Sequence, residues 1–154
     1  MTGEAAANGL AAHLDALIQH CEALAQCLAS ESDALIQRDL MQLGACAETK
    51  ERIARMIRAS EKPLDVLLEG HSVTEFIAQL GTGAQSALEA RHARLKALAE
   101  TCRHQNAVNG KVIHRTRQSL AELARILSGH DADPIYTARG TTRPTTDGHS
   151  LALA

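Results

Sequence analysis

From Leu88 to Leu127 the chain can be read in steps of four and three: Leu88, His92, Leu95, Ala99, Cys102, Asn106, Asn109, Ile113, Thr116, Leu120, Leu123, Leu127. The steps alternate without a slip. Such a repeat of seven is the period of a helix that lies along a neighbouring helix. It predicts a rod over residues 84–128, on the order of 60 Å long at about 1.5 Å per residue. Ser128-Gly129 closes it, with Gly near the position where helices often end.

A second stripe comes earlier: Leu10, Leu14, Leu17, Cys21, Leu24, Leu28, then Glu31 and Leu35, Asp39, Leu43, Cys46, Lys50, Ile53, Ile57. Between Leu35 and Cys46 it advances eleven residues, a step that locally unwinds a coiled coil without ending its helix. No Pro or Gly lies between Leu10 and Gly44. The expectation is one helix over residues 10–59, bent near Ser30–Asp33, with residues 1–8 frayed.

Pro63 is expected to stop this first rod, since the residue before a proline avoids the helical region. Leu64 to Glu69 reads as a short turn of helix closed by Gly70. Ser72-x-x-Glu75 is a capping box that opens another short helix through Leu80, and Gly81-Thr82-Gly83 ends it. Two rods with a compact connector predict an all-α fold: a long antiparallel helical hairpin, coiled-coil-like, with the short middle helix near one end. The helical domain covers 1–129. Residues 130–154 are rich in Asp, Thr, Gly, Pro and His and bury too little to offset chain entropy, which predicts a flexible C-terminal tail. Asn109-Gly110 is a strong turn signal, but the stripe keeps its phase across it, so a continuous helix is expected. Gly110 costs a helix about 1 kcal/mol relative to Ala, which suggests close backbone approach by the first rod or by a bound chain.

Composition narrows this picture. Of 154 residues 45% are hydrophobic but only 1% aromatic, so a thin seam of Ala and Leu replaces a thick aromatic core. The formal net charge of -2 gives no electrostatic case for nucleic acid. No stretch approaches the roughly 20 apolar residues of a membrane span, so no stable membrane insertion is expected. Met1 to Leu10 has no basic, apolar leader, and Cys21, Cys27, Cys46 and Cys102 form no C-x-x-C pair. A cytoplasmic protein with reduced thiols is expected.

Enzyme-like patterns are sparse. Glu89-x-x-His92 has the spacing of a di-iron bundle ligand pair, but a second copy is missing. His13 and His20 lack completing ligands, and Cys102-x-His104 places its side chains on different helix faces. A phosphotransfer histidine is a poor fit at His92, which sits on the seam. Gly81-Thr82-Gly83 is too short for a phosphate loop. No catalytic residue, no metal site and no cofactor is therefore expected.

The polar seam residues are more informative. Glu31, Asp39 and Lys50 interrupt the first stripe; Asn106, Asn109 and Thr116 interrupt the second. They can set register, as a buried Asn does in coiled coils. They can also mark a strip left open to a third helix. Apolar residues outside the stripes support that reading: Ile18, Ile36, Leu40 and Met41 on the first rod, Val108, Val112 and Ile126 on the second. Two rods cannot bury both sets, so one face is available to a guest helix. Self-association, as a helical adaptor or scaffold, would cover the same face.

The chain resembles the FlgN family of cytosolic export chaperones for the hook-filament junction proteins of the bacterial flagellum. The likeness rests on Glu31-x-x-x-Leu35-x-x-x-Asp39-x-x-x-Leu43, Lys50-x-x-Ile53, Asn106-x-x-Asn109-Gly110 followed by Leu120 to Leu127, and Tyr136-x-x-x-Gly140. His92 stands where relatives often carry Trp, which thins the connector end, and Thr137 stands where a Gly is common. The resemblance implies a non-enzymatic chaperone that binds C-terminal helical segments of hook-associated proteins, usually called FlgK and FlgL, and delivers them to the flagellar export gate platform. Client contact would fall on Asn106, Val108, Asn109, Gly110, Val112, Ile113, Leu120, Leu123, Ile126 and Leu127. Tyr136, with Gly140 beside it, would dock on the gate. Tyr136 folding back to cap the hairpin is the other reading of that residue.

Overall fold

The computed structural model describes residues 3–128 of the chain. They hold α1 (Gly3–Gln37), α2 (Leu40–Leu68), α3 (Val73–Gln79) and α4 (Thr82–Leu127). No strand occurs among the described residues, so the chain is all-α as its periodicity predicts. By contacts it divides into two units, one ending at His114 and one beginning at Arg115.

The first unit contains the long antiparallel hairpin, but the hairpin is α1 with α2. The expected single helix over 10–59 does not form, nor does a bend near Ser30–Asp33. The chain reverses at Arg38 and Asp39. Arg38 adopts a left-handed φ of 57°. The Asp39 N–H donates to the Ala34 carbonyl at 2.9 Å, the long bond of a Schellman end. Asp39 Oδ1 then accepts from the Gln42 N–H at 3.0 Å and caps α2. The eleven-residue step in the stripe is thus a change of helix. It lets Cys46, Lys50 and Ile53 face back onto Cys27, Glu31 and their neighbours.

Two further boundaries differ from expectation. α1 begins at Gly3 rather than fraying to residue 8, since Ala6 and Ala7 are buried and Ala7 belongs to the core. Pro63 lies inside α2. Proline in a helix interior costs about 3 kcal/mol, but Leu64, Leu67 and Leu68 beyond it all join the core, and that burial carries the helix onward. The left-handed Glu69 and Gly70 end α2. The Ser72–Glu75 capping box forms in both directions, at 3.2 Å and 2.8 Å.

α4 passes through Asn109-Gly110 as one helix. Within the first unit it runs parallel to α1, because the contacts climb together: Asp15 with Arg91, Cys21 with Cys102, Leu28 with Asn109. The main apolar core lies where α3 meets the others. It contains Ala7, Leu10, Leu14, Leu68, Ile77 and Leu88, with Phe76 half-buried at its edge. Ile18, read from sequence as surplus, is buried, because α1 has a helix on each flank. The tail expected over 130–154 lies outside the described residues.

Candidate partner-binding surface

Away from the core, the three long helices meet through a polar knot. Glu31 and Asn109 are buried. Lys50 Nζ donates to both Glu31 carboxylate oxygens, at 3.0 Å and 3.2 Å. Asn109 Nδ2 donates to Glu31 Oε2 and to the Leu28 carbonyl, each at 2.9 Å. Gln105 Nε2 donates to Asn109 Oδ1 at 2.9 Å. One residue each from α1, α2 and α4 therefore meets at a single carboxylate. No buried side-chain polar atom among the described residues is left without a partner. A sliding of any helix by one turn would strand a charge in a site with little water, so the knot fixes their register.

The cysteines do similar work in a softer way. Cys27 Sγ donates to the Cys46 carbonyl at 3.4 Å, and Cys102 Sγ to the Cys21 carbonyl at 3.3 Å. All four are free and buried. Burial pushes the thiols of Cys21, Cys27 and Cys102 above their ordinary range, which keeps them protonated and unreactive at neutral pH. Ion pairs Asp15–Arg91 and Glu22–Arg94 tie α4 to α1 at the surface.

His92 is half-buried, and desolvation, with Lys96 beside it, holds its imidazole below the usual histidine range. With Glu89 it lines an open cleft of about 350 Å³ that also touches Thr74 and Ile77. This is the connector end of the first unit. No group of three or more His, Cys, Asp or Glu among the described residues is arranged to hold a metal ion.

The residues expected to meet a partner fall in three places. Asn109 is turned inward, 1% exposed, and belongs to the knot. Asn106 is exposed at the rim of a mostly apolar cleft of about 580 Å³, whose walls include Leu24, Ala54, Ile57 and Cys102. Gly110 is exposed, and a Cβ built on it would meet nothing within 4 Å, so no described part of the chain makes the close approach its presence suggested. Ile113 is half-buried, and Val108 and Val112 are exposed. In the second unit Leu120 is 60% exposed and Leu127 78%, with Leu123 and Ile126 somewhat below 60%. At the α1–α2 turn, Ile36, Leu40 and Met41 are exposed as well. Tyr136 and Gly140 lie outside the described residues.

A family model described as FlgN protein matches residues 1–144. The chain belongs to the FlgN family. Membership makes it a flagellar export chaperone, in keeping with a helical chain that exposes many of its larger aliphatic side chains. No curated protein and no solved structure matches it. Among the described residues of this FlgN-family chain, no helix is long and apolar enough to cross a membrane. Lys50, which completes the knot, is legible in the sequence as a polar seam residue able to set register, but its pairing with Glu31 is not. That pairing becomes visible once residues nineteen apart are known to face each other across a hairpin.

Proposed function

We propose that this FlgN-family chain is a cytoplasmic, non-enzymatic chaperone whose α4 receives an amphipathic helix from the C-terminal region of a hook-associated protein. The observation that supports this most is the solvent exposure of Leu120, Leu123, Ile126 and Leu127 on a helix whose first half is anchored to α1. A row of aliphatic side chains left in water is a stretch that a guest helix stabilises by burial, at about 25 cal/mol per Å² of apolar surface removed from solvent. Val108 and Val112 extend the exposed aliphatics along α4, and Asn106 lines the apolar cleft over Cys102. Covering the guest keeps it from assembling early. Tyr136, on the segment beyond α4, then serves as a docking anchor for the export gate platform, since one aromatic gives large contact area at low rotamer entropy.

The experiment is a calorimetric titration with the C-terminal segment of a hook-associated protein. Replacing Val108, Val112 and Ile126 with Asp is expected to weaken binding by roughly a hundredfold or more, with helicity retained by circular dichroism. Unchanged affinity in that folded variant contradicts the docking role of α4. In the same titration Tyr136→Ala is expected to keep its client affinity and to lose retention on immobilised gate platform. Loss of both would place Tyr136 in the client site. A tight dimer in sedimentation, persisting with client present, would point to the self-associating adaptor instead.

A further inference from the structure

The cations of α4 are not treated alike. Arg91 and Arg94 are neutralised by Asp15 and Glu22 of α1, and Arg103 by Glu100 one turn earlier. Lys111, Arg115 and Arg117 carry no carboxylate partner among the described residues. The chain is acidic overall, at -2, so this is not a shortage of carboxylates. In the second unit Arg115 and Arg117 stand beside the exposed aliphatic row. Successive residues turn about 100°, which puts Ile126, Leu123, Leu127 and Leu120 within roughly 120° of the helix circumference. On the same construction Arg115 lies about 20° beyond one edge of that arc and Arg117 about 60° beyond the other. The apolar row thus has Arg115 as a rail along one edge and Arg117 along the other; Glu122, the lone acidic residue of the stretch Arg115–Leu127, follows Arg115 by seven residues on the first edge, about 40° outside the arc.

We propose that this face selects a helix whose apolar stripe is flanked by Asp and Glu, Arg115 and Arg117 each facing a carboxylate of the guest. The proposal rests on the docking role argued above and adds the chemistry of what docks. A guest flanked by Lys or Arg would set like charges against both rails, so the rails reject as well as attract. An anionic lipid surface is the other occupant that positive rails could attract. The row argues against it, because Ser119 and Thr116 fall within its arc and it lacks the aromatic residues that interfacial helices bring.

The test uses the full chain and two designed peptides of about 20 residues, long enough to form helix on binding. They share one Leu stripe and differ only in flanking residues, all Glu in one and all Lys in the other. The expected result is a roughly tenfold preference for the Glu peptide at low salt, shrinking as salt rises from about 50 to about 300 mM. Arg115→Glu with Arg117→Glu is expected to reverse the preference, which a merely misfolded variant would not do. Equal affinity for the two peptides overturns the charge selection while leaving the docking face standing. Binding of neither overturns both. Binding to vesicles containing phosphatidylglycerol, abolished by the same double substitution and without any peptide preference, would assign the rails to a lipid surface and overturn the proposal.

Discussion

Asn109 is the residue on which the internal alignment of the first unit turns. It is buried, and its two donated bonds reach α1 at the Leu28 carbonyl and the Glu31 carboxylate. Removing it takes one donor from the buried Glu31 carboxylate and the acceptor from the Gln105 amide, while the Leu28 carbonyl keeps only its bond within α1. Asn109→Ala is expected to lower stability by about 1–3 kcal/mol in chemical denaturation, whereas the same change at the exposed Asn106 is expected to stay within about 0.5 kcal/mol. Equal small effects would mean that the knot is solvated. The polar interruptions at Glu31, Lys50 and Asn109 stood out in the sequence because they fall on apolar stripes. Their meeting at one carboxylate was not legible there. Glu31 and Lys50 sit on what reads as one continuous stripe, and the stripe does not say that the chain turns between them.

That turn is the place where local sequence misleads about an element. Arg38 has a Cβ, so its left-handed backbone gives no glycine signal. The readable trace is Asp39 followed three residues later by Gln42, an N-cap pattern inside an otherwise helical stretch. Pro63 misleads in the other direction, since its penalty is local and the burial of Leu64, Leu67 and Leu68 is not. The Ser72–Glu75 box was fully readable because both partners lie within one turn. α4 was readable because its phase never slips, even across Gly110. That glycine sits exposed in mid-helix with open space around its Cβ position. Gly110→Ala is therefore expected to raise stability by about 1 kcal/mol, measured by thermal or urea unfolding. A loss of stability would show that the chain does need the bare backbone there. If Gly110→Ala stabilises the free chain and still weakens client binding, the close approach belongs to the guest.

As a molecule, the chain places its best apolar core at the α3 end, around Leu10, Leu14, Ile77 and Leu88, and holds the remainder of the first unit with small residues, thiols and one buried carboxylate. With so few aromatics it has little with which to fill gaps, and clefts remain open between the helices. In the second unit, Leu120, Leu123, Ile126 and Leu127 stay in solvent. On the function proposed above, that exposed stretch is where a guest helix is taken. The general existence of a surplus apolar face could be argued from two stripes and too few helices to cover them. Which residues make it up could not: Ile18 turned out to be core and Asn109 an internal strut.

The most direct measurement is hydrogen–deuterium exchange of the full chain with and without the C-terminal segment of a hook-associated protein. The account predicts that client binding slows exchange chiefly over residues 108–127, with α1 and α2 little changed. Protection confined to α1 and α2, with α4 beyond Val108 exchanging as fast as in the free chain, would contradict it.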